Sequence, residues 1–249
     1  SIPEIADAAA FKSIGITAQN LSGQKVTAAV QLAVYPLQTP EKLYRERKWE
    51  RPDVFAINKE TFEANFPYDE YEEENDCHNW KKKVAIIKDT INTELTTNYK
   101  LQTTNLQQGW YAVEAITKDK DGNEVKDIKY IQLYDLQSAS LPSLQSNWSK
   151  ELANIVQPDE QAKLLIATNE QDAFIIQNIK RNKEKPGEGN DYSFYQLSNN
   201  KKLITLDVKA EDRNGIGLYY AFVKHNRFYT GGMDVQIPYL DKDLEINYT

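Results

Sequence analysis

The chain has 249 residues, 40% of them hydrophobic and 11% aromatic, with 30 Lys and Arg against 37 Asp and Glu, 10 Gly and one Cys. At roughly 100 to 150 residues per domain, this is one large domain or two ordinary ones, each able to bury a core, and its 15 Tyr, 8 Phe and 4 Trp are too much apolar surface for a disordered chain. The net charge of −7 divides into 22 acids and 17 bases up to residue 137 and 15 and 13 beyond it, so no basic domain exists to meet a nucleic acid.

In chain order, the dominant pattern has period 2. Val26, Ala28, Val30, Leu32 and Val34 put five apolar side chains on one face of a predicted strand. Residues 38–80 are charged, aromatic and poor in alternation, and read as an insertion into a first sandwich. Within it, Asn58 caps a predicted short helix that buries Phe62 and Phe66, with Glu63 on the wet side and Pro67 as the stop. Tyr111, Val113 and Ala115 form the inner face of a strand launched at Gly109. That strand runs through Asp119-Lys-Asp-Gly-Asn-Glu124 into the apolar run Ile128–Tyr134, a strong hairpin signal because Gly tolerates positive φ.

A break follows at 136–161, with Pro142, Pro158 and several Ser, and the first domain is expected to end at 137 and the second to span 138–249. Trp148, Leu152, Ile155 and Val156 have helical spacing and predict a short helix between the sandwiches. Strands are predicted at Ala162–Thr168, Ala173–Ile179, Leu203–Ala210, Leu218–Lys224 and Val235–Ile237, with further alternation at Leu244, Ile246 and Tyr248. Their turns carry Asn169-Glu-Gln-Asp172, Lys185-Pro-Gly-Glu-Gly-Asn-Asp191, Asp212-Arg-Asn-Gly215 and Thr230-Gly-Gly232. Short strands with polar turns predict an all-β fold of two consecutive antiparallel sandwiches.

Several clusters invite a chemical reading. Asp69-Glu-Tyr-Glu-Glu-Glu-Asn-Asp76 holds six acids in eight residues, but it lacks the alternate carboxylates, central Gly and closing Glu of a calcium loop, and a solvated acidic face is favoured. Asp119, Asp121 and Asn123 mimic the opening of such a loop, yet Gly122 comes too early, and a plain turn is favoured. Cys77-His78 could pair a thiol with a base, although adjacent residues rarely face each other, and the other histidine is His225. No hydrolase elbow, phosphate loop or zinc-protease signature is present. No residue is therefore expected to be catalytic, and neither a metal nor a cofactor is expected. Trp49, Trp80, Trp110 and Trp148 with Tyr219, Tyr220, Phe228 and Tyr229 could stack on sugar rings, but core and edge packing is favoured. Lys224-His-Asn-Arg227 reads as a charged, solvated strand end. The single Cys leaves no internal disulfide and no structural zinc. The start, Ser1-Ile-Pro-Glu-Ile-Ala-Asp7, lacks the parts of a signal peptide and an initiator Met, so a piece of a longer chain is expected.

Ile16-Thr-Ala-Gln-Asn-Leu-Ser-Gly23 before the long strand, then Gln108-Gly-Trp-Tyr-Ala-Val-Glu114 and the hairpin, resembles a macroglobulin domain of the alpha-2-macroglobulin family. In the insertion, Trp49, Arg51-Pro-Asp53, Phe62, Phe66-Pro67, Asp69, Tyr71, Glu74 and Trp80 are similar to a block in very large family members of Bacteroidetes. Pro158-Asp-Glu-Gln-Ala-Lys-Leu-Leu165, Val223-Lys-His-Asn-Arg-Phe-Tyr229 and Val235-Gln-Ile-Pro238 through Leu244-Glu-Ile246 resemble the next domain of those proteins. The resemblance implies a seven-stranded sandwich of fibronectin type III or immunoglobulin shape per domain, and a scaffold role inside an exported, envelope-associated protease trap of a Gram-negative bacterium. The implied partners are neighbouring macroglobulin domains and, through the parent, proteases, with no nucleic acid and no membrane insertion. Cys77-His-Asn-Trp80 stands in place of the family's Cys-x-Glu-Gln thioester sequence, so that chemistry is not expected in this piece. A sandwich that binds glycans or surface proteins is the alternative.

Overall fold

The computed structural model describes residues 2–45, 47–95, 97–101, 106–181 and 189–239. They belong to two compact units, Ser1–Leu144 and Gln145–Thr249. Each is built of β-sheets around its own core, and the first carries the partly helical insertion. The division lies beyond residue 137 for a local reason. Gln108 donates to the hydroxyls of Ser138 (3.1 Å) and Ser140 (2.5 Å), and the Trp110 indole donates to Ser143 (3.1 Å), which ties 138–143 to the first unit.

The first unit comprises β1 (Ile5–Asp7), β2 (Ser13–Gly15), β3 (Ala29–Pro36), α1 (Lys59–Asn65), β4 (Ile87–Asn92), β5 (Asn98–Lys100), β6 (Gly109–Lys118) and β7 (Glu124–Tyr134). One sheet has the order β1-β7-β6-β3-β4, and β2 pairs with β5 in a second layer. β1 runs parallel to β7, and the other ladders of this unit are antiparallel. The alternation through β3 has the expected phase but a shorter buried stretch: Val30, Leu32 and Val34 are buried, while Val26 is 41% exposed. The chain joins the ladder only at Ala29, opposite Asn92, so Val26 precedes the paired strand. Val30, Leu32 and Val34 pack with Ile87 and Ile91 of β4, Val113 of β6 and Ile131 and Leu133 of β7, closed by Phe11, Ile14, Leu101 and Leu106. The β6–β7 hairpin forms at the expected place, with Gly122 at φ +86° and Asp119 accepting from the N–H groups of Asp121 (2.9 Å) and Asn123 (2.8 Å). Those bonds explain Asp119 and Asn123 as turn residues.

In the insertion the helix begins where the sequence places it, with Asn58 accepting from the Thr61 N–H at 2.9 Å. It does not bury its phenylalanines: Phe62 is half-buried and Phe66 exposed. A helix this short packs locally, and Phe62 meets Tyr71 (5.3 Å between centroids), which in turn stacks on Phe55 (4.3 Å).

The second unit comprises β8 (Trp148–Ala153), β9 (Gln161–Thr168), β10 (Ala173–Arg181), β11 (Asn190–Leu197), β12 (Asn200–Asp207), β13 (Ile216–Lys224) and β14 (Arg227–Val235). A four-stranded sheet, β11-β10-β13-β14, faces a three-stranded one, β12-β9-β8, across a core that includes Leu164, Ile166, Ile175, Ile204, Leu206, Leu218, Tyr220 and Phe222. The helix expected over Trp148–Val156 is instead β8, whose Trp148 pairs with Ala167. A bulge between Glu151 and Ala153 breaks the period of 2 and leaves Trp148, Leu152, Ile155 and Val156 at a spacing that imitates a helix. The strand β11, not anticipated because polar residues separate its aromatics, pairs along β10 from Lys180 to Ala173. Thr230-Gly-Gly232 is strand interior, not a turn. These glycines make room for neighbours: a Cβ on Gly231 would lie 2.4 Å from the Tyr220 hydroxyl, and one on Gly232 2.5 Å from the Leu218 carbonyl and 2.7 Å from the Tyr219 ring. The true turn is His225-Asn226, both at positive φ (+48° and +57°), a two-residue hairpin of the kind that matches strand twist. The alternation at Leu244, Ile246 and Tyr248, and residues 185–188 of the expected turn at 185–191, lie outside the described residues.

Candidate functional site

The acidic run is a solvated face only in part: Glu72, Glu73 and Asp76 are exposed, whereas Asp69 is buried and Glu70 and Glu74 are half-buried. Arg45 makes a two-pronged contact to Asp69, from Nε to Oδ1 at 2.8 Å and from Nη2 to Oδ2 at 2.6 Å, and Asp69 is 8% exposed. Arg47 donates to the carbonyls of Glu70 (2.8 Å), Tyr71 (3.0 Å) and Glu72 (2.6 Å), and Lys59 reaches Glu74 at 3.1 Å. Burial pushes the Glu70 carboxyl up from its ordinary range. Planar Arg forks hold carboxylates and carbonyls in fixed geometry, so Arg45 fixes the segment through the Asp69 side chain and Arg47 through the backbone of residues 70–72.

The short turn Cys77–Asn79 does bring neighbours together. Asp76 Oδ1 accepts the His78 backbone N–H at 3.0 Å and lies 2.6 Å from His78 Nδ1, and Cys77 Sγ is 3.9 Å from that nitrogen. One donor atom from each residue falls within 4.8 Å of the others. Burial and the Asp76 charge push the Cys77 thiol up, the wrong direction for a nucleophile. His225 belongs to the second unit and pairs there with buried Glu170 at 3.1 Å, whose other oxygen accepts from Ser146 at 2.7 Å. Lys224-His-Asn-Arg227 is thus an anchored turn, not a solvated end. Two further buried acids are likewise matched. Glu114 meets Lys82 (2.5 Å) and Lys126 (2.9 Å), which lower its pKa, and Asp212 meets Arg181 (3.0 Å).

The aromatic residues do not form one platform. Trp148 and Tyr220 are core residues, Tyr229 stacks on Phe222 (4.9 Å), and Trp80 meets Trp110 edge to face (5.4 Å, 87°). Trp49 and Phe228 are exposed, in different units.

The feature that stands out is the outer face of the β11-β10-β13-β14 sheet. The pairing aligns Phe194, Ile176, Ala221 and Thr230 in one row and Tyr192, Asn178, Tyr219 and Gly232 in the next. The same alternation puts Phe174, Val223 and Phe228 on this face beyond the first row. Phe174, Phe194 and Phe228 are 52%, 59% and 62% exposed, and the first two rings stack at 6.2 Å. Lys180, Asn190 and Asp234 form a polar border at one end. Beside it the Tyr219 ring lies over Gly217 and Gly232 and its hydroxyl donates to Asp234. The apolar face had a signal in the sequence: β10 and β13 are apolar at consecutive positions, the mark of a sheet covered on both sides.

Tyr219 and Tyr195 are both pushed up to about 12 from 10.0, Tyr219 first by its bond to Asp234 and Tyr195 first by burial. A raised folded pKa stabilises the fold fully below the unfolded value and loses that contribution as pH climbs through the folded one. The second unit is therefore expected to weaken between pH 10 and about 12. Phenolate absorbance that rises together with loss of far-ultraviolet circular dichroism checks this, and free titration of all tyrosines near pH 10 in an intact fold contradicts it.

No protein-family model matches the chain, and no curated protein matches it. Among solved structures it is similar to a tetra-tandem repeat in the extending region of a large adhesion protein, at 10% identity and a TM-score of 0.27, over 89% of this chain and 55% of that one. It is also similar to a Ca2+-stabilized adhesin that helps an Antarctic bacterium reach out and bind ice, at 6% identity and a TM-score of 0.25, over 94% of this chain and 46% of that one. The chain spans about half the length of each. At TM-scores this low the likeness carries no function over. No helix among the described residues is long and apolar enough to cross a membrane.

Proposed function

We propose that the chain is a non-catalytic scaffold segment of a large, exported alpha-2-macroglobulin-like protein of a Gram-negative envelope. In this reading the outer face of β11-β10-β13-β14 packs on another sandwich of the same parent chain. The observation that carries it is the apolar character of that face, since its inner side is already filled by the core. A contiguous apolar patch on a sandwich marks an interaction surface. Its apolar centre and its border of Lys180, Asn190 and Asp234 match the make-up of a protein interface. The order of macroglobulin-like segments along the sequence supplies the occupant, a neighbouring domain. The buried acids Asp69, Glu114, Glu170 and Asp212 each meet a partner within their own unit, which supports a structural use of charge. In the parent, such a segment transmits a rearrangement after a protease cuts elsewhere.

The test compares this chain with the same chain extended by its neighbouring domains, by hydrogen exchange and aromatic proton shifts. Phe174, Phe194 and Phe228 are expected to lose solvent access in the extended protein, and Phe174→Lys with Phe228→Lys to abolish that change while the fold persists. An outer face equally open in both forms sinks the docking reading. Inhibition of a protease by this chain alone contradicts the scaffold role.

A further inference from the structure

The first unit contains an open cleft of about 700 Å3 that the scaffold role does not use, between residues 38–44 and the segments 72–74 and 79–81. Its size falls within the roughly 300–1,000 Å3 range of small-ligand sites. Its walls are unlike those of a site for an apolar molecule. Trp80 and Tyr44 supply aromatic surface, and most of the remaining lining is planar or charged polar side chains. Glu41, Glu72, Glu73 and Glu74 are offset by Lys42, Arg51 and Lys81, so neither sign dominates. A phosphorylated ligand needs a cationic site, and a strongly basic one needs an acidic site. A neutral ligand with many hydroxyls needs neither.

Three side chains at the mouth are already set in relation to one another. Asn79 Nδ2 donates to Glu73 Oε2 at 3.0 Å, and the other Glu73 oxygen lies 3.7 Å from Arg51 Nη1. The Arg51 guanidinium sits over the Phe55 ring, 5.5 Å from its centroid. An amide, a carboxylate and a guanidinium in sequence offer paired donors and acceptors, which adjacent hydroxyls on a ring can satisfy two at a time. Aromatic faces complement the C–H faces of the same ring. Backbone bonds from Gln38 N–H to Lys81 O (2.9 Å) and from Lys83 N–H to Pro36 O (2.8 Å) join two of the segments beside the cleft. Trp80 is fixed by its indole bond to the Glu74 carbonyl (2.7 Å) and its edge contact with Trp110, so the wall exists before any ligand arrives.

We infer that this cleft is a binding site for a neutral oligosaccharide, held by Arg51, Glu73 and Asn79 at the mouth and by contact with Trp80 and Tyr44. The test uses the whole chain on an array of neutral oligosaccharides, followed by titration of retained sugars with tryptophan fluorescence and calorimetry. Saturable binding with a change in tryptophan emission is expected. Arg51→Ala with Glu73→Gln is expected to weaken it by about tenfold or more, the worth of one charge-assisted hydrogen bond or two. Both residues are exposed, so circular dichroism and the thermal midpoint should stay at the parent values. Phe174→Lys with Phe228→Lys should leave binding intact, which separates this site from the docking face of the second unit. No sugar retained at millimolar concentration, undiminished binding in the mouth variant, loss of binding in the sheet-face variant, or retention of peptides alone would each overturn the inference.

Discussion

Replacing Phe222 with Ala is expected to cost the second unit about 3–5 kcal/mol. Phe222 is 2% exposed, sits in β13 between the two sheets, and stacks on Tyr229 at 4.9 Å. The loss combines the transfer free energy of a phenyl group with the cavity it leaves, because paired strands on either side cannot close the gap. A domain has only about 5–15 kcal/mol in hand, so the variant unit should unfold at a much lower denaturant midpoint with an unchanged slope. The first unit has a core of its own, and its transition should not move. A shift below about 1 kcal/mol would show that the site collapses freely and that the sandwich is not close-packed there.

Asp212→Ala is expected to cost about 3–5 kcal/mol in the same unit, by a different route. Its carboxylate, 2% exposed, accepts from Arg181 Nε at 3.0 Å and from the Lys209 backbone N–H at 2.9 Å. Truncation strips the partly buried guanidinium of its counter-charge and leaves the N–H at the start of the Ala210–Asn214 turn without that acceptor. If charge pairing is the main term, Arg181→Met in the Asp212→Ala background should recover much of the loss, because replacing both partners avoids an uncompensated charge. Chemical denaturation of the two single variants and the double variant closes this cycle. A double variant as unstable as the sum of the singles would assign the effect to the backbone acceptor instead.

Which parts of the molecule were legible in its sequence follows from the range over which each is encoded. Gly109, Asp119 and Gly122 announced the β6–β7 hairpin because turn chemistry and strand period act over a few residues. Asn58 announced its helix for the same reason. β8 escapes a local reading because one bulge resets the period, and the pairing of Trp148 with Ala167 that defines it lies outside any local window. Gly231 and Gly232 imitate a turn because glycine signals permissiveness without saying whether the chain needs positive φ or room for a neighbour's ring. The candidate cleft was legible only as ingredients: Arg51, Glu73, Asn79 and Trp80 stood in the sequence without a hint that they share one wall.

By itself the sequence determined an all-β chain, its principal hairpin and the buried faces of its main strands, because alternation and turn residues are properties of short segments. Only the tertiary structure decided that Arg45 would bury Asp69 and that the second four-stranded sheet would carry an apolar outer face. Such outcomes depend on the register between segments separated along the chain, and that register is set by the packing of the whole unit.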